Sequence, residues 1–300
     1  MTVSLFPGFE EHIVQTQGAE IFVRKGGSGP ALILLHGFPQ THACWHKIAP
    51  ALAQHFTLIL PDLRGYGRSS CPPTDDDHFP YSKRAMAQDI IEVADHFGVG
   101  EFCLGGHDRG ARVAYRLVFD HATRVSRLGI LDIVPTHTVW HDFNVELAMA
   151  TYHWLFLAQP APFPETLIHG SGNGFIDHTL ASWTRAKDLS VFHPTALEDY
   201  RLYLARPEYI RANCEDYRAG QTYDLKADEQ DFNAGTKITC PVLVLSGSSG
   251  IAAIGATPVD VWKKWAEDVR GESFDCGHFL PEEKPDETTE ALLEFFKPHG

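Results

Sequence analysis

Residues 106–110 read Gly-His-Asp-Arg-Gly and follow the apolar run Phe102-Cys103-Leu104 with only Gly105 between. A short apolar run that meets a pair of glycines predicts a strand turning sharply into a helix, with Asp108 at the turn. Gly106 and Gly110 leave room for such a turn to close. A carboxylate is a weak nucleophile toward acyl carbon. It can, however, displace a leaving group from sp³ carbon and keep the alkyl group as an ester on its own side chain. The chemistry this points to is halide displacement or epoxide opening. Arg109 and Arg112 are spaced i, i+3 in the first turn of the helix that follows, so they share a face. Cations at that end oppose the helix dipole by about 0.3–1 kcal/mol each, and an anion should compensate them. Asp108 or a capping carboxylate is one candidate. The other is a substrate carboxylate held in a guanidinium fork beside the attacking oxygen.

These residues need a rigid frame, and the chain supplies a strand rhythm for one. His12–Thr16 and Ala19–Lys25 suggest an opening hairpin around Gly18. Ala31–Leu35 and Phe56–Leu60 are strand-like, and a helix is expected from about Lys83 to Phe97 with Ser82 as N-cap. Glu101–Gly106 is the strand that delivers Asp108, and Arg109–Phe119 is its helix. Val125–Ile133, Pro241–Ser246 and Ser273–Asp275 complete the strands, and a last helix runs from about Asp286 to Phe296. Strands alternating with helices predict a mainly parallel sheet covered by helices. From Thr136 to about Lys237 the strand rhythm stops. That stretch is rich in aromatics and His, with helices expected around Phe143–Leu157 and Thr195–Leu204. The expected organisation is a core over 1–136, an inserted helical cap over 137–237 and the rest of the core over 238–300.

Composition removes several function classes. The chain has 300 residues, 44% of them hydrophobic, enough for one large core. Its 25 basic and 39 acidic residues give a formal charge of −14, and that field repels nucleic-acid backbones. An anionic substrate therefore needs a local cationic pocket. Cys44, Cys71, Cys103, Cys214, Cys240 and Cys276 are scattered without C-x-x-C spacing, which suggests reduced thiols in a cytoplasmic protein. No apolar run reaches membrane-span length and no metal-ligand spacing is present, so neither a membrane nor a metal partner is expected.

A strand, a tight turn flanked by small residues and a helix together resemble the nucleophile turn of the α/β-hydrolase fold, where G-x-S-x-G is usual. Here the serine position is Asp108. That fold implies a histidine on a late loop, and His278 stands there in Asp275-Cys276-Gly277-His278. With Asp108 already ionised, His278 would act as general base for the water that hydrolyses the alkyl ester. The base needs an acid to orient it. The loop after 241–246 has no carboxylate before Asp260, whereas the preceding strand ends at Asp132, so Asp132 is the expected acid. The alternative for Asp132 is a turn cap. Backbone N–H groups of Phe38 and Arg109 are the expected oxyanion donors, and His36 is expected to shape the loop rather than react.

A second, more specific resemblance covers almost the whole chain. Gly-His-Asp-Arg-Gly-Ala-Arg, Leu-Asp-Ile-Val-Pro-Thr at 131–136, Tyr-His-Trp at 152–154, Asp-Tyr-Arg-Ala-Gly at 216–220 and Gly-His-Phe at 277–279 resemble the haloacetate dehalogenases, within them the fluoroacetate dehalogenase group. The resemblance implies that Asp108 is the nucleophile, His278 the base and Asp132 its partner. Arg109 and Arg112 would bind the haloacetate carboxylate. His153, Trp154 and Tyr217 would donate to the departing halide, with Trp183 as a further pocket residue. It also implies a homodimer and no cofactor. The rival readings are an epoxide hydrolase, with Tyr152 and Tyr217 as available phenols, and a non-catalytic protein that binds a small acid. A haloalkane or epoxide substrate leaves the arginine pair without a purpose.

Overall fold

The structure, a computed structural model, describes residues 4–250, 252 and 255–297. Eight strands form one sheet: β1 (Glu10–Gln15), β2 (Glu20–Gly27), β3 (Ala31–Leu35), β4 (Thr57–Pro61), β5 (Phe102–His107), β6 (Val125–Leu131), β7 (Val242–Gly247) and β8 (Val269–Phe274). Their order is β1-β2-β4-β3-β5-β6-β7-β8. β1 and β2 form the expected hairpin, and β2 pairs antiparallel with β4. All remaining pairs are parallel. β5 is buried at every position, as is usual for a central parallel strand covered on both faces. The carboxyl ends of β3, β5, β6 and β7 therefore lie along one edge of the sheet, where open α/β sheets bind their ligands.

The helix Lys83–His96 begins where expected, with the Ser82 side chain accepting the Ala85 N–H. The strand read at 273–275 is longer than expected, because β8 starts at Val269. Its alternating, half-exposed pattern does not stand out as an apolar run.

Between β6 and β7 the chain holds only helices among its described residues, from Thr136–His141 to Leu225–Ala234. The single segment expected over 143–157 is two helices, Val145–Ala150 and Tyr152–Leu157, divided at Thr151. The Thr151 hydroxyl donates back to the Leu147 carbonyl at 2.6 Å, competing with helix continuation. The expected Thr195–Leu204 helix starts one residue earlier, at Pro194, a residue suited to a first turn. Four further helices, Phe163–Gly170, Gly174–Trp183, Pro207–Ala219 and Leu225–Ala234, were not visible as separate periods. All six cysteines are unpaired. Among the described residues no helix is long and apolar enough to cross a membrane.

Candidate active site

Asp108 leaves β5 at φ 48° and ψ −118°, a strained conformation for a residue with a side chain. The turn closes because its flanking residues lack a Cβ. One at Gly110 would collide with the carbonyl oxygens of Leu35 and His36, and one at Gly106 with the backbone of Ala111. The strain lifts the Asp108 carboxylate to the sheet edge. There its Oδ1 accepts the Phe38 N–H at 2.9 Å, from the loop after β3. Of the two expected oxyanion donors, Phe38 is hydrogen-bonded to Asp108 and Arg109 N–H is not. Burial works to raise the Asp108 carboxyl, but the positive charges of His278, Arg109 and Arg112 hold it below the usual carboxylate range.

His278 follows β8 and lies with Nε2 3.7 Å from Asp108 Oδ2. Its Nδ1 is 2.6 Å from Oδ2 of Asp132, the residue after β6. The other Asp132 oxygen accepts the Gly247 N–H at 2.9 Å. Burial opposes the imidazolium, yet the bond and charge of Asp132 outweigh it, so His278 titrates above the ordinary histidine range. Among the described residues, its Nε2 has no hydrogen-bond partner. His36 is structural, as expected: its Nε2 accepts the Leu63 N–H at 3.0 Å and ties two loops together.

The two arginines differ in a way their spacing does not reveal. Arg109 is not a free guanidinium. Its Nε and Nη2 donate to the Asp216 carboxylate at 3.0 and 2.6 Å, and Nη2 also donates to the Asp216 carbonyl at 2.7 Å. Asp216 further accepts Tyr66 Oη at 2.6 Å and a bond from Lys83 Nζ, all in the interior. The counter-ion stands 107 residues away on the helix Pro207–Ala219, beyond the reach of helix-spacing arguments. Arg112 is also buried, at 3% exposure, but among the described residues no carboxylate lies within ion-pair distance of it. Its Nη1 donates to the Val134 carbonyl and Thr136 Oγ1, both at 3.0 Å, and its Nε is unpartnered.

The expected aromatic residues converge on this corner. His153 stacks parallel to Phe38, with ring centres 6.3 Å apart, and lies 5.6 Å from Tyr217. Trp183 sits between His153 at 4.5 Å and His278 at 5.3 Å. The Arg112 guanidinium carbon is 4.5 Å from the Trp154 ring centre, and that of Arg109 is 4.2 Å from the Tyr217 ring centre. Burial pushes the His153 imidazole down to about 3, so it is neutral at physiological pH. Burial, reinforced by Asp108, raises the Tyr217 phenol well above its ordinary value, so it keeps its proton. Among the described residues, His153 Nδ1 and Tyr217 Oη have no hydrogen-bond partner. A cavity of about 70 Å³ is walled by Asp108, Arg112, His153, Trp154 and His278, with apolar residues such as Val139 and Leu147 opposite. Tyr217 packs on Arg109 and on the wall residues His153 and Trp154. Ile251, Ala253 and Ile254, in the loop after β7, lie outside the described residues.

An ionised carboxylate, an oriented base and an oxyanion donor can run nucleophilic displacement followed by ester hydrolysis. The alpha/beta hydrolase fold model matches residues 30–285. The chain belongs to the alpha/beta hydrolase family. It is 42% identical over 291 residues to a fluoroacetate dehalogenase from Burkholderia sp, covering 97% of this chain and 95% of that protein. It is 34% identical over 290 residues to a soluble epoxide hydrolase from Corynebacterium sp. (strain C12), covering 96% and 97%. Among solved structures, ALR0039 from Nostoc sp PCC 7120 superposes with a TM-score of 0.94 at 49% identity, covering 97% of this chain and 99% of that one. Within the hydrolase family, relatives at 34–42% identity thus carry the names of two different reactions, and the site has to distinguish them.

Sequence reasoning missed Asp216 and His107 as site residues. Both stand inside quoted motifs, next to Tyr217 and Asp108. Adjacency to a candidate was the available signal.

Proposed function

We propose that the protein is a haloacetate dehalogenase, converting fluoroacetate or chloroacetate to glycolate and halide. The observation that carries this reading is Arg112: a buried guanidinium on the wall of the Asp108 cavity, with no carboxylate within ion-pair distance among the described residues. A buried cation left unpaired is costly, and a substrate carboxylate there removes the cost. A neutral oxirane or haloalkane does not.

In the first step Asp108 Oδ2 attacks the α-carbon, since Oδ1 is held by Phe38 N–H. The C–O bond forms as the carbon–halogen bond breaks, and halide leaves with the electron pair. His153, Trp154 and Tyr217 are assigned as donors to that ion. His153 Nδ1 and Tyr217 Oη, buried without partners among the described residues, gain a partner only as negative charge arrives, which is stabilisation of the transition state over the ground state. In the second step His278 Nε2 takes a proton from water, and the hydroxide adds to Cγ of Asp108. The oxyanion that forms on Oδ1 is stabilised by Phe38 N–H. The Cγ–O bond to the glycolyl group then breaks, His278 returns the proton to the glycolate oxygen, and Asp108, left as the acid, releases the remaining water proton to solvent and is again a carboxylate. Arg109, with two of its nitrogens held by Asp216, contributes to carboxylate binding only through Nη1 and its charge.

Halide release from fluoroacetate and chloroacetate, beside a neutral chloroalkane, a neutral epoxide and an Asp108→Asn control, tests the reading. Halide from the acids alone, absent in the control, is expected. Diol from the neutral epoxide without halide from either acid overturns it in favour of epoxide hydrolysis. The homodimer belongs to the same proposal. Sedimentation velocity checks it, and a single 33.4 kDa species overturns that part.

A further inference from the structure

His107, between Gly106 and Asp108, is fully buried and has no part in the reaction above. Its Nε2 lies 2.8 Å from the backbone carbonyl of His278, and the two ring centres are 4.5 Å apart. A carbonyl only accepts, so Nε2 carries the proton. Burial pushes this imidazole down to about 3, so it remains a neutral single donor. The backbone N–H of His278 donates to the Trp183 carbonyl at 2.9 Å, on the opposite side. At Gly277 the chain passes so close to the Trp183 carbonyl that a Cβ would collide with it. The backbone of His278 is thus held by the nucleophile's own strand on one side and by the end of the helix Gly174–Trp183 on the other. Its side chain is held by Asp132.

We propose that His107 is a positioning residue for the base: its Nε2–H, bonded to the His278 carbonyl, fixes His278 Nε2 relative to the Asp108 carboxyl carbon. The inference rests on the two-step reading above. Halide displacement uses Asp108 and the substrate clamp and does not need His278 as a base. Ester hydrolysis does. Losing the His107 bond therefore slows the second step selectively.

The test is rapid-quench turnover of chloroacetate by the wild type, His107→Leu and His107→Gln. In His107→Leu a burst of chloride near one per active site is expected. Steady-state turnover should fall about 10²-fold, the scale of a one-ångström misplacement, with ester accumulating on the Asp108 peptide. His107→Gln, whose side-chain N–H can reach the same carbonyl, should recover much of the loss. An equal fall of burst and steady state, or no change in either, overturns the proposal. A substrate-free arm follows the His278 imidazole by NMR titration. His107→Leu should move it down toward the ordinary histidine range as contact with Asp132 loosens, and His107→Gln should restore it. An unaltered titration overturns the proposal. If the wild type releases no halide from chloroacetate, the two-step dehalogenase reading fails, and the titration alone decides the role of His107.

Discussion

His278 Nδ1 and Asp132 Oδ2 meet at 2.6 Å in a site where neither side chain is more than 2% exposed. Gly247 N–H holds the second oxygen of Asp132, so the carboxylate cannot rotate away. This fixes the tautomer of His278 with its proton on Nδ1 and a lone pair on Nε2 toward Asp108. Replacing Asp132 by Asn offers the wrong partner to Nδ1. On the precedent of catalytic triads, steady-state turnover should fall by about 10⁴-fold. The first burst of halide should survive, because displacement does not use the base. Mass measurement of the Asp108 peptide checks this, and an unmodified peptide after halide release rules out the covalent route.

The same contact sets a pH dependence. His278 must be neutral to accept the water proton, and Asp132 holds its pKa above the ordinary value. The acid limb of kcat should therefore lie above about pH 6.5, the unperturbed histidine value. Asp108, held low, remains ionised throughout that range and adds no second limb there. A kcat profile flat from pH 6 to 9 contradicts the assignment of His278 as base.

Arg112 makes a binding prediction distinct from Arg109. Removing the uncompensated cation in Arg112→Leu should raise KM for chloroacetate by about 10²-fold, near the low end of buried charge-pair losses of about 2–5 kcal/mol. Arg112→Lys should restore little, since an ammonium reproduces neither the fork nor the stacking on Trp154. Arg109→Leu is expected to damage folding as well, because it strands Asp216 and Lys83 in the interior. Thermal melting beside the KM measurements separates the two effects.

Tyr217 bears on the choice of halogen. Its hydroxyl is buried without a partner among the described residues, at a cost of about 1–3 kcal/mol that a bound acceptor recovers. Fluoride is the stronger hydrogen-bond acceptor and the poorer leaving group. Tyr217→Phe should therefore lower fluoride release by about 10²-fold and chloride release by less. Equal losses for both halogens place the hydroxyl outside the halide site.

How far these roles were legible in the sequence depends on what kind of signal carried them. Asp108 and Asp132 sit at strand ends, and strand ends can be read from apolar runs and glycines; the Phe38 N–H, three residues past the end of β3, was expected from the resemblance to the hydrolase fold. His278 was legible by its place on a late loop. His153, Trp154 and Tyr217 had no such marker, since an aromatic on a helix normally packs a core. Only the resemblance singled them out. Asp216 was hidden because its partner Arg109 lies in another segment, and ion pairs at long separation have no sequence period. The helices of the insertion were hidden by their own composition. Apolar and aromatic residues that face both the core and the site blur the 3.6-residue period that would separate Pro207–Ala219 from its neighbours.

Glu282 provides a stability prediction away from the chemistry. Its side chain is buried between the loop after β3 and the helix Pro194–Leu204, bonded by Gln40 Nε2 and, at 3.3 Å, by Tyr200 Oη. Burial is the main cause that raises the carboxyl to about 8, so the folded chain keeps this proton at neutral pH. The unfolded chain loses it near 4.3, the ordinary glutamate value. Between those values the native state binds the extra proton, and stability falls as pH rises. The contribution is fully present below about pH 4, declines through neutrality and is gone above about pH 8. Glu282→Gln keeps the shape without the titration. Its melting temperature should therefore gain on the wild type steadily from pH 5 to pH 8, then run parallel to it. A constant difference across that window shows that Glu282 titrates alike in the folded and unfolded chain.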